Sequence, residues 1–580
     1  MKYLNKTAIL RDINIHLSNI YTNNIEDTSI KIFSLLERYS PFIDNDGTGH
    51  TERWNEEDVM LITYGDSIVN KEEIPLQTLH DFIVQKLNNT FSTIHILPFF
   101  PYSSDDGFSV IDFRAVNDQL GNWEDINRIA KNSKLMVDLV INHVSRESLW
   151  FYDFVANQSP ASDYFIELPA ETDVSMVTRP RSSPLLVPVN THRGTRHLWA
   201  TFSEDQIDLD FSNPNVLIEF IDILLFYIAN GARLIRLDAI AFLWKELGTS
   251  CIHLDETHEI VKLLRTIIDH CFPDCILLTE TNVPHDENLS YFGNADEAHM
   301  VYQFSLPPLI LHSLNRGTSK YLSQWASELP ALHADCTYLN FTASHDGIGL
   351  RALEGILPQH EIESLIESMQ RFGGFVSMKA NATGEDSPYE INISLFDAMQ
   401  GTRRGTDQWQ VNRFICSQAI MLGLQGIPAV YIHSIFATPN HLHGVELTGR
   451  TRSINRKQWQ HDELISLLES SNTPNHEVFY ELQRIIKIRK AEACFHPACS
   501  QEIIDISSGL FAFIRTEIKT GQQLFAIYNV TAVPQDITIS GRPELSDESL
   551  WFDLVTEKHL DNILPGIILQ PYQFMWLVKK

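Results

Sequence analysis

The stretch Gly231-Ala-Arg-Leu-Ile-Arg-Leu-Asp238 is an apolar run with charges that a buried strand does not normally carry. Residues two apart on a strand share a face, so Arg236 and Asp238 are expected to point to the same side. An unpaired buried charge is costly, so the two side chains should either form a structural ion pair or take part in chemistry. An isolated pair of this kind is more often structural, and the rest of the chain has to decide between the two.

The composition limits the classes of function that the chain can have. Of its 580 residues, 44% are hydrophobic and 20% are charged, as in an ordinary globular protein. The formal net charge of -30 argues against nucleic acid or an anionic membrane as a partner. No apolar run approaches membrane-spanning length, and the N-terminus lacks the pattern of a signal peptide. The odd number of scattered cysteines favours a cytoplasmic protein, and we expect a monomer or a homodimer.

Eight short apolar runs predict strands that are buried on both faces. They lie at residues 59–65, 93–98, 134–142, 231–240, 275–280, 298–304, 337–342 and 426–432. Segments with apolar residues at helical spacing, such as 216–230 and 258–270, lie between most of them. Alternating strands and helices imply a parallel sheet, and eight such units predict an α/β fold of the (β/α)8 or TIM barrel type.

The remaining segments are predicted to lie around this barrel. The barrel itself is assigned to residues 56–143, 207–346 and 406–498. Inserts at 144–206 and 347–405 follow the third and seventh strands, at the end of the barrel where function usually lies. Residues 1–55 are interpreted as a helical extension outside the main core, and 499–580 as a small antiparallel β domain.

Polar residues stand repeatedly where a predicted barrel strand ends. Asp238 ends the fourth strand, Glu280 ends the fifth and Asp346 follows the seventh. One such acid is usually a cap, but several that meet at one barrel mouth predict a carboxylate active site. Several acids without an implied metal suggest glycoside transfer. A metal site is the weaker interpretation, because Arg236 beside Asp238 would repel a divalent cation.

Four ordered segments resemble the signature regions of the α-amylase superfamily, glycoside hydrolase family 13. They are Asp138-Leu-Val-Ile-Asn-His143, Gly231 to Asp238, Leu278-Thr-Glu280 and Asn340-Phe-Thr-Ala-Ser-His-Asp346. The resemblance implies a nucleophile, a general acid/base and a transition-state stabiliser, which are Asp238, Glu280 and Asp346 in that order. It also implies that Arg236 holds Asp238 in place and keeps it ionised, and that His143 and His345 hydrogen-bond sugar hydroxyls.

A further element, Asp105-Asp-Gly-Phe108, is similar to an Asp-x-Gly-aromatic segment of the same superfamily. The resemblance implies that Asp105 grips the far end of a terminal glucose and that Phe108 forms part of its platform. Arg456 matches the arginine that partners this aspartate. Such a pair would close the pocket behind one sugar and so implies exo-action on a short substrate.

A narrower resemblance is to the sucrose phosphorylase subfamily. It is carried by Lys245-Glu-Leu-Gly-Thr-Ser-Cys251, by Leu306-Pro-Pro-Leu-Ile-Leu-His312 and by Arg179-Pro-Arg181. It implies that Arg181 and Tyr389 contact phosphate. In a protein of charge -30, an anion that must approach several acids needs local arginines, whose planar guanidinium suits phosphate.

The chain departs from sucrose phosphorylases at Glu390, where those enzymes have Gln. Glu390 and the segments 279–285 and 351–355 look more like the glucosylglycerate phosphorylases of the same subfamily. If glycerate is the acceptor, Glu390 would repel its carboxylate. The cation expected to offset that repulsion is one of Arg179, Arg181, Arg193 and Arg196.

The resemblance therefore implies a retaining glycoside phosphorylase with a small glucoside and phosphate as substrates and with no cofactor or metal. The favoured reaction converts 2-O-α-D-glucosyl-D-glycerate and phosphate to α-D-glucose 1-phosphate and glycerate through a covalent glucosyl-enzyme. Sucrose or sucrose 6'-phosphate phosphorylase activity remains an alternative. So do an α-glucosidase or transglucosidase, and a non-catalytic binding protein on the same fold.

Overall fold

Eight parallel strands close into a barrel in the computed structural model, which describes residues 6–42, 52–181, 183–380, 386–537, 551–560 and 567–579. In chain order they are β1 Met60–Thr63, β2 Thr93–Ile96, β3 Lys134–Val140, β4 Ala232–Asp238, β5 Ile276–Thr279, β6 Met300–Tyr302, β7 Thr337–Phe341 and β8 Ile427–Tyr431. Each strand pairs with its neighbours in the sequence, and β8 pairs with β1. The predicted TIM barrel is confirmed, and each of the eight predicted runs contains one strand.

The register of the sheet explains why charges can stand inside the barrel. Arg236 of β4 lies opposite Asp138 of β3, and Asp238 lies opposite Val140. Residues at equivalent positions on neighbouring strands face the same side, so the first pair can neutralise each other inside the sheet. The strand that carries Asp238 is therefore compatible with a buried core.

Helices of very different length surround the barrel. The longer ones that follow the strands are Pro75–Lys86, Trp123–Ala130, Pro214–Ala229, Asp255–Cys271, Leu306–Arg316, Lys320–Glu328, Gln410–Gly423 and Pro474–Lys490. Further helices at His285–Leu289, Ile432–Ile435, Leu442–Thr448 and His461–Glu469 complete the connections after β5 and β8. No helix in the described ranges is both long enough and apolar enough to cross a membrane.

Both inserts form structure of their own above the carboxyl ends of the strands. The first contains the helix Leu149–Ala156 and a three-stranded sheet of Glu167–Leu168, Gly194–Trp199 and Leu186–Thr191. The second contains the helix Gln359–Arg371 and a sheet of Ile348–Gly349, Asp386–Asn392 and Phe375–Ala380. These sheets bring residues distant in sequence to the mouth of the barrel.

The two N-terminal helices, Lys6–Ile20 and Ile25–Tyr39, belong to the main core. Their apolar faces, with Ile13 and Leu36 fully buried, are part of the same hydrophobic cluster as the barrel. The first helix also docks by hydrogen bonds, since His16 contacts Glu259 and Thr266 of the helix Asp255–Cys271. The expectation that this extension lies outside the main core is therefore wrong, because helical periodicity does not tell which surface an apolar face covers.

The C-terminal region is an antiparallel sheet, as expected from its closely spaced strands. Its order is Ser500–Ile503, Leu510–Thr516, Gln523–Asn529, Phe574–Lys579, Trp551–Asp553 and Lys558–Leu560. One face has its own hydrophobic cluster, which includes Trp551 and Leu577. The opposite face, with Trp576 and Phe513, packs into the main core.

The docking of the first helix predicts that shortening a buried side chain on it lowers the stability of the protein more than shortening an exposed one. Ile13→Ala should lower the free energy of unfolding by about 2–5 kcal/mol, because it leaves a cavity under a residue that is 0% exposed. Ile15→Ala on the same helix is the matched control, because Ile15 is 52% exposed and should change stability by about 0.5 kcal/mol or less. Urea unfolding monitored by tryptophan fluorescence measures both, and equal effects would contradict the docking.

Candidate active site

A pocket at the carboxyl end of the barrel brings together the three predicted catalytic acids. Asp238 comes from the end of β4, Glu280 follows β5 and Asp346 follows β7. Nearly all the other predicted site residues line the same pocket or the vestibule that opens from it. These lining residues are Asp105, Phe108, His143, Arg181, His345, Tyr389, Glu390 and Arg456. The barrel thus gathers at one place side chains that are up to about 350 residues apart in the sequence.

Arg236 is the buried centre of the charge network beneath the pocket. Its Nη1 donates to Asp138 at 2.5 Å and to Asp238 at 2.7 Å, and Nη2 is 4.0 Å from Glu280. Asp138 also contacts His95 of β2 at 2.7 Å, and burial opposed by His95 and Arg236 leaves its pKa at about 2. Asp138 is thus ionised, and Arg236 is held between two carboxylates.

Burial has the largest effect on the pKa values of Asp238 and Glu280. The resemblance implies that Arg236 keeps Asp238 ionised, but burial raises the pKa of Asp238 to about 7 in spite of Arg236. Burial also raises the pKa of Glu280 to about 7, with Arg236 opposing the shift and Asp238 adding to it. The two groups therefore titrate as a pair. When the pair carries one proton, we expect it on Glu280, because Arg236 contacts Asp238 directly but reaches Glu280 only at 4.0 Å.

Asp346 has a different environment from the other two acids. Burial would raise its pKa, but the neighbouring cations, above all Arg452, hold that pKa well below its ordinary value. Arg452 Nη1 lies 2.5 Å from Asp346. A carboxylate that stays charged next to the reaction centre is what stabilisation of an oxocarbenium-like charge requires.

Arg452 also neutralises Glu390, which is only 2% exposed. Its Nε and Nη2 donate to the two carboxylate oxygens of Glu390 at 3.0 and 2.6 Å. The side chain of Glu390 packs so tightly against Gly347 that a Cβ atom at residue 347 would clash with it. The charge of Glu390 is thus offset by an arginine outside the four that were expected to do so.

Three of those four arginines do not reach the pocket. Arg193 and Arg196 both pair with Glu167, at 3.0 and 3.4 Å. Arg179 is outside the set of residues that line the pocket and its vestibule. Of the four arginines predicted to offset Glu390, the geometry therefore supports none of these three.

Arg181 is the arginine of the first insert that does reach the pocket. Its guanidinium lies 5.5 Å from the ring centre of Tyr389. Tyr389 sits on the strand Asp386–Asn392 of the second insert, so each insert contributes one side of this contact. The two residues predicted to contact phosphate are thus neighbours at the mouth of the barrel.

Phe108, His143 and His345 form another part of the pocket lining. The rings of Phe108 and His345 stack with centroids 4.9 Å apart and planes 5° apart. Burial lowers the pKa of His345 to about 3, so its ring is neutral. His143 contacts the carbonyl of Phe108 at 2.9 Å, and Gln206 contacts His143 at 3.2 Å. The two predicted sugar-binding histidines thus flank the predicted platform.

The predicted partner of Arg456 is wrong by one residue. The guanidinium Nη1 of Arg456 forms its ion pair with Asp106, while Asp105 accepts a hydrogen bond from Gln206 at 3.3 Å. Both aspartates have positive φ angles, 54° and 49°, so the turn directs their side chains in ways that a linear motif does not specify. Arg456 Nε also donates to the carbonyl of His345 at 2.8 Å, which ties this turn to the β7 end.

Several residues of the site were not found by sequence reasoning. They are His95, Asp106, Gln206, Asn282 and Arg452. His95 had a signal in the sequence, since it is a titratable residue between two isoleucines of the buried strand β2. Arg452 had little signal in the sequence. It lies in the short helix Thr451–Asn455, and its role depends on where that helix packs.

Comparisons with known proteins agree with this geometry. Residues 83–347 match the family model of the alpha amylase catalytic domain. The chain is 43% identical to the glucosylglycerate phosphorylase of Escherichia coli (strain K12), over 97% of this chain and 99% of that protein. It is 42% identical to the glucosylglycerate phosphorylase of Allomeiothermus silvanus, over 90% of this chain and 92% of that protein.

The fold is also shared with a solved structure. The crystal structure of sucrose 6F-phosphate phosphorylase from Thermoanaerobacter thermosaccharolyticum superposes with a TM-score of 0.71, covering 83% of this chain and 96% of that chain at 24% identity. The similarity to the two relatives extends over nearly the whole chain, and it agrees with the barrel and with the three converging acids. The chain therefore belongs to the α-amylase superfamily and, within it, to the family of the glucosylglycerate phosphorylases; it is a glycoside phosphorylase.

Proposed function

We propose that this enzyme catalyses the reversible phosphorolysis of 2-O-α-D-glucosyl-D-glycerate to α-D-glucose 1-phosphate and D-glycerate. The observation that carries the proposal is one pocket lined by Asp238, Glu280 and Arg181, in which burial raises the pKa of both carboxyls to about 7. The identity to two glucosylglycerate phosphorylases supports the choice of substrate. The enzyme uses phosphate as a co-substrate and requires no cofactor or metal, because every group that the reaction needs is a side chain or a substrate.

In the first half-reaction, Glu280 gives its proton to the glycosidic oxygen as a carboxylate oxygen of Asp238 attacks C1 of the glucosyl group. The C1–O bond to glycerate breaks, glycerate leaves, and a β-glucosyl ester of Asp238 forms. Arg236 orients Asp238 through the 2.7 Å contact. The charged Asp346 stabilises the positive charge that develops on the sugar ring.

In the second half-reaction, a phosphate oxygen attacks C1 of the ester. The ionised Glu280 accepts the proton of the attacking phosphate, the bond to Asp238 breaks, and α-D-glucose 1-phosphate forms with retained configuration. Esterification removes the charge of Asp238, which is one of the causes that raise the pKa of Glu280. The pKa of Glu280 should therefore fall in the ester, so that this residue is ionised at the point where a base is needed.

The turn that carries Asp105 and Asp106 is held by the ion pair of Arg456 with Asp106 and by the hydrogen bond of Gln206 to Asp105. We infer that this turn binds the far end of a terminal glucosyl group, so that the enzyme acts on the end of a short substrate. We place the enzyme in the cytoplasm because its seven cysteines are all free and buried. Whether it is a monomer or a homodimer stays a prediction.

A panel of acceptors tests the proposed substrate directly. With α-D-glucose 1-phosphate as donor, phosphate release should be fastest with D-glycerate and slower with fructose, fructose 6-phosphate, glycerol and water. Release with fructose or fructose 6-phosphate above that with glycerate would instead favour a sucrose or sucrose 6'-phosphate phosphorylase. Release with water alone would indicate an α-glucosidase, and no release with any acceptor would leave only a binding protein.

The raised pKa of Glu280 predicts the pH profile of phosphorolysis. Above pH about 7 the value of kcat/KM for the glucoside should fall, because burial raises the pKa of Glu280 to about 7 and the leaving glycerate needs its proton. α-D-Glucosyl fluoride, whose fluoride leaves with little protonation, should show a weaker decline on the same side. Initial rates between pH 5 and 9 measure both, and identical profiles would argue against Glu280 as the acid.

The contacts of Arg452 with Glu390 and Asp346 predict that its substitution changes both the stability of the protein and the pH profile of kcat. Arg452→Gln should destabilise the protein by about 3–5 kcal/mol, because it leaves the buried Glu390 charge without its ion-pair partner. It should also raise the pKa of Asp346 and so shift the acidic limb of kcat to higher pH. Adding Glu390→Gln should restore stability but not the pH profile.

Urea unfolding and initial rates measure the two effects separately. Arg450→Gln is the matched control for stability. Arg450 is half exposed and its ion pair with Asp106 is long, at 3.5 Å, so its loss should cost little. If the double variant recovered the wild-type pH profile, Arg452 would not act on Asp346.

A further inference from the structure

We propose that His95 is a positioning residue of the reaction, whose hydrogen bond to Asp138 keeps Arg236 available to the nucleophile Asp238. The proposal rests on the proposed function, because it takes Asp238 as the group that attacks the sugar. His95 is outside the set of residues that line the pocket, so it acts through the two side chains that stand between it and Asp238.

The register of the sheet arranges these side chains in layers inside the barrel. His95 on β2 lies opposite Met136 on β3, two residues before Asp138, so His95 and Asp138 point to the same side of the sheet. Arg236 on β4 lies opposite Asp138 itself, and Asp238 follows two residues later at the strand end. His95 is thus one layer below Asp138 and two layers below the nucleophile.

Three hydrogen bonds connect these layers. His95 Nε2 contacts Asp138 Oδ2 at 2.7 Å, Arg236 Nη1 donates to Asp138 Oδ1 at 2.5 Å, and the same Nη1 donates to Asp238 at 2.7 Å. Burial opposed by His95 and Arg236 leaves the pKa of Asp138 at about 2, so this carboxylate is ionised and only accepts hydrogen bonds. Nε2 of His95 therefore carries the hydrogen of the contact.

Asp138 and Asp238 compete for one nitrogen of Arg236, since each takes one of the two N–H donors of Nη1. Within the described residues, the carboxylate of Asp138 has His95 and Arg236 as its hydrogen-bond partners. Without His95, its second oxygen would be a buried acceptor without a donor, which is costly. A guanidinium can bind one carboxylate through two nitrogens, so Asp138 would then draw Arg236 away from Asp238.

His95 is poorly explained as a residue of the hydrophobic core. It stands between Ile94 and Ile96 on a strand that is buried throughout, and its Nδ1 is a buried nitrogen without a hydrogen-bond partner in the part of the chain that the structure describes. An apolar side chain of similar size would avoid the cost of that nitrogen. The hydrogen bond that His95 makes is the one to Asp138, so its contribution lies in the network that leads to Asp238.

Other charged and titratable groups around Asp238 remain in place when His95 is replaced. They are Asp138 on β3, Arg236 on β4, Glu280 after β5, Tyr302 on β6, and His345 and Asp346 after β7. Burial raises the pKa of Asp238, Arg236 lowers it, and Asp138 and Asp346 raise it further. A weaker contact with Arg236 therefore raises the pKa of Asp238 and leaves less of the nucleophile ionised in acid.

α-D-Glucosyl fluoride in saturating phosphate tests the proposal, because fluoride leaves with little protonation and kcat/KM for this donor depends on the attack by Asp238. His95→Met removes the N–H donor and nearly keeps the volume. It should lower kcat/KM by about 10- to 100-fold, since displacing a reacting atom by about 1 Å costs on the order of 100-fold in rate. The acidic limb of the pH profile should rise by about one unit, because an adjacent arginine lowers a carboxyl pKa by about 1–3 units and part of that effect is lost. Fluoride release between pH 5 and 9 measures both.

His95→Gln and His95→Asn form a matched pair of amides that differ in length. The amide nitrogen of glutamine stands where Nε2 of histidine stands, whereas that of asparagine stands where Nδ1 stands. His95→Gln should therefore retain the bond to Asp138, most of kcat/KM and the wild-type acidic limb. His95→Asn cannot reach Asp138 and should resemble His95→Met.

His299→Met is the control for the loss of a buried histidine. His299 is 0% exposed and contacts Asp269 at 3.2 Å, but Asp269 belongs to the helix Asp255–Cys271 and not to the barrel mouth. His299→Met should lower stability in urea unfolding without moving the acidic limb. An equal shift of the limb in this control would overturn the proposal.

The remaining outcomes separate the inference from the proposed function. A wild-type acidic limb in both His95→Met and His95→Asn, or a shift of that limb to lower pH, would overturn the positioning role. So would a loss of activity that His95→Gln shares, or the failure of both shorter-reach variants to fold, since His95 would then be a structural residue. A wild-type enzyme that releases fluoride but transfers no glucosyl group to D-glycerate would contradict the proposed substrate, while the His95 measurements would still decide the inference.

Discussion

The contact of Arg236 with Asp138 and Asp238 is the interaction on which the rest of the site depends. A barrel strand buried on both sides cannot carry a lone charge. Because β3 and β4 are parallel and in register, Asp138 stands beside Arg236 and neutralises the buried arginine. Once Arg236 is fixed, it orients Asp238 at the strand end, and His95 extends the same network to β2.

A second group of charges controls what can approach those acids. Arg452 links Asp346, which belongs to the barrel, with Glu390, which belongs to the second insert. This contact fixes the strand that carries Tyr389, and Tyr389 in turn faces Arg181 from the first insert. The two inserts therefore meet over the pocket where Arg181 faces the ring of Tyr389. In the reaction that we propose, the acceptor binds at this meeting point and the glucosyl group binds in the mouth of the barrel.

The sequence predicted the barrel and the convergence of three strand-end acids because both follow from local patterns. Eight apolar runs predicted eight strands, and the position of Asp238, Glu280 and Asp346 at strand ends placed them at one mouth. The partners of Arg456 and Glu390 were predicted wrongly or not at all. These depend on a turn with two positive φ angles and on the packing of Thr451–Asn455, neither of which has a simple sequence pattern.

The sequence by itself determined the barrel, the three acids and the family resemblance, since periodicity and strand-end residues are properties of short segments. Only the tertiary structure decided that the N-terminal helices belong to the main core and that Asp106 pairs with Arg456. It also decided that Arg452 is engaged by two carboxylates while Arg181 is not. The physical reason is that a charge pairs with whichever opposite charge the packing brings within a few ångströms, and that distance is set by elements far apart in the chain.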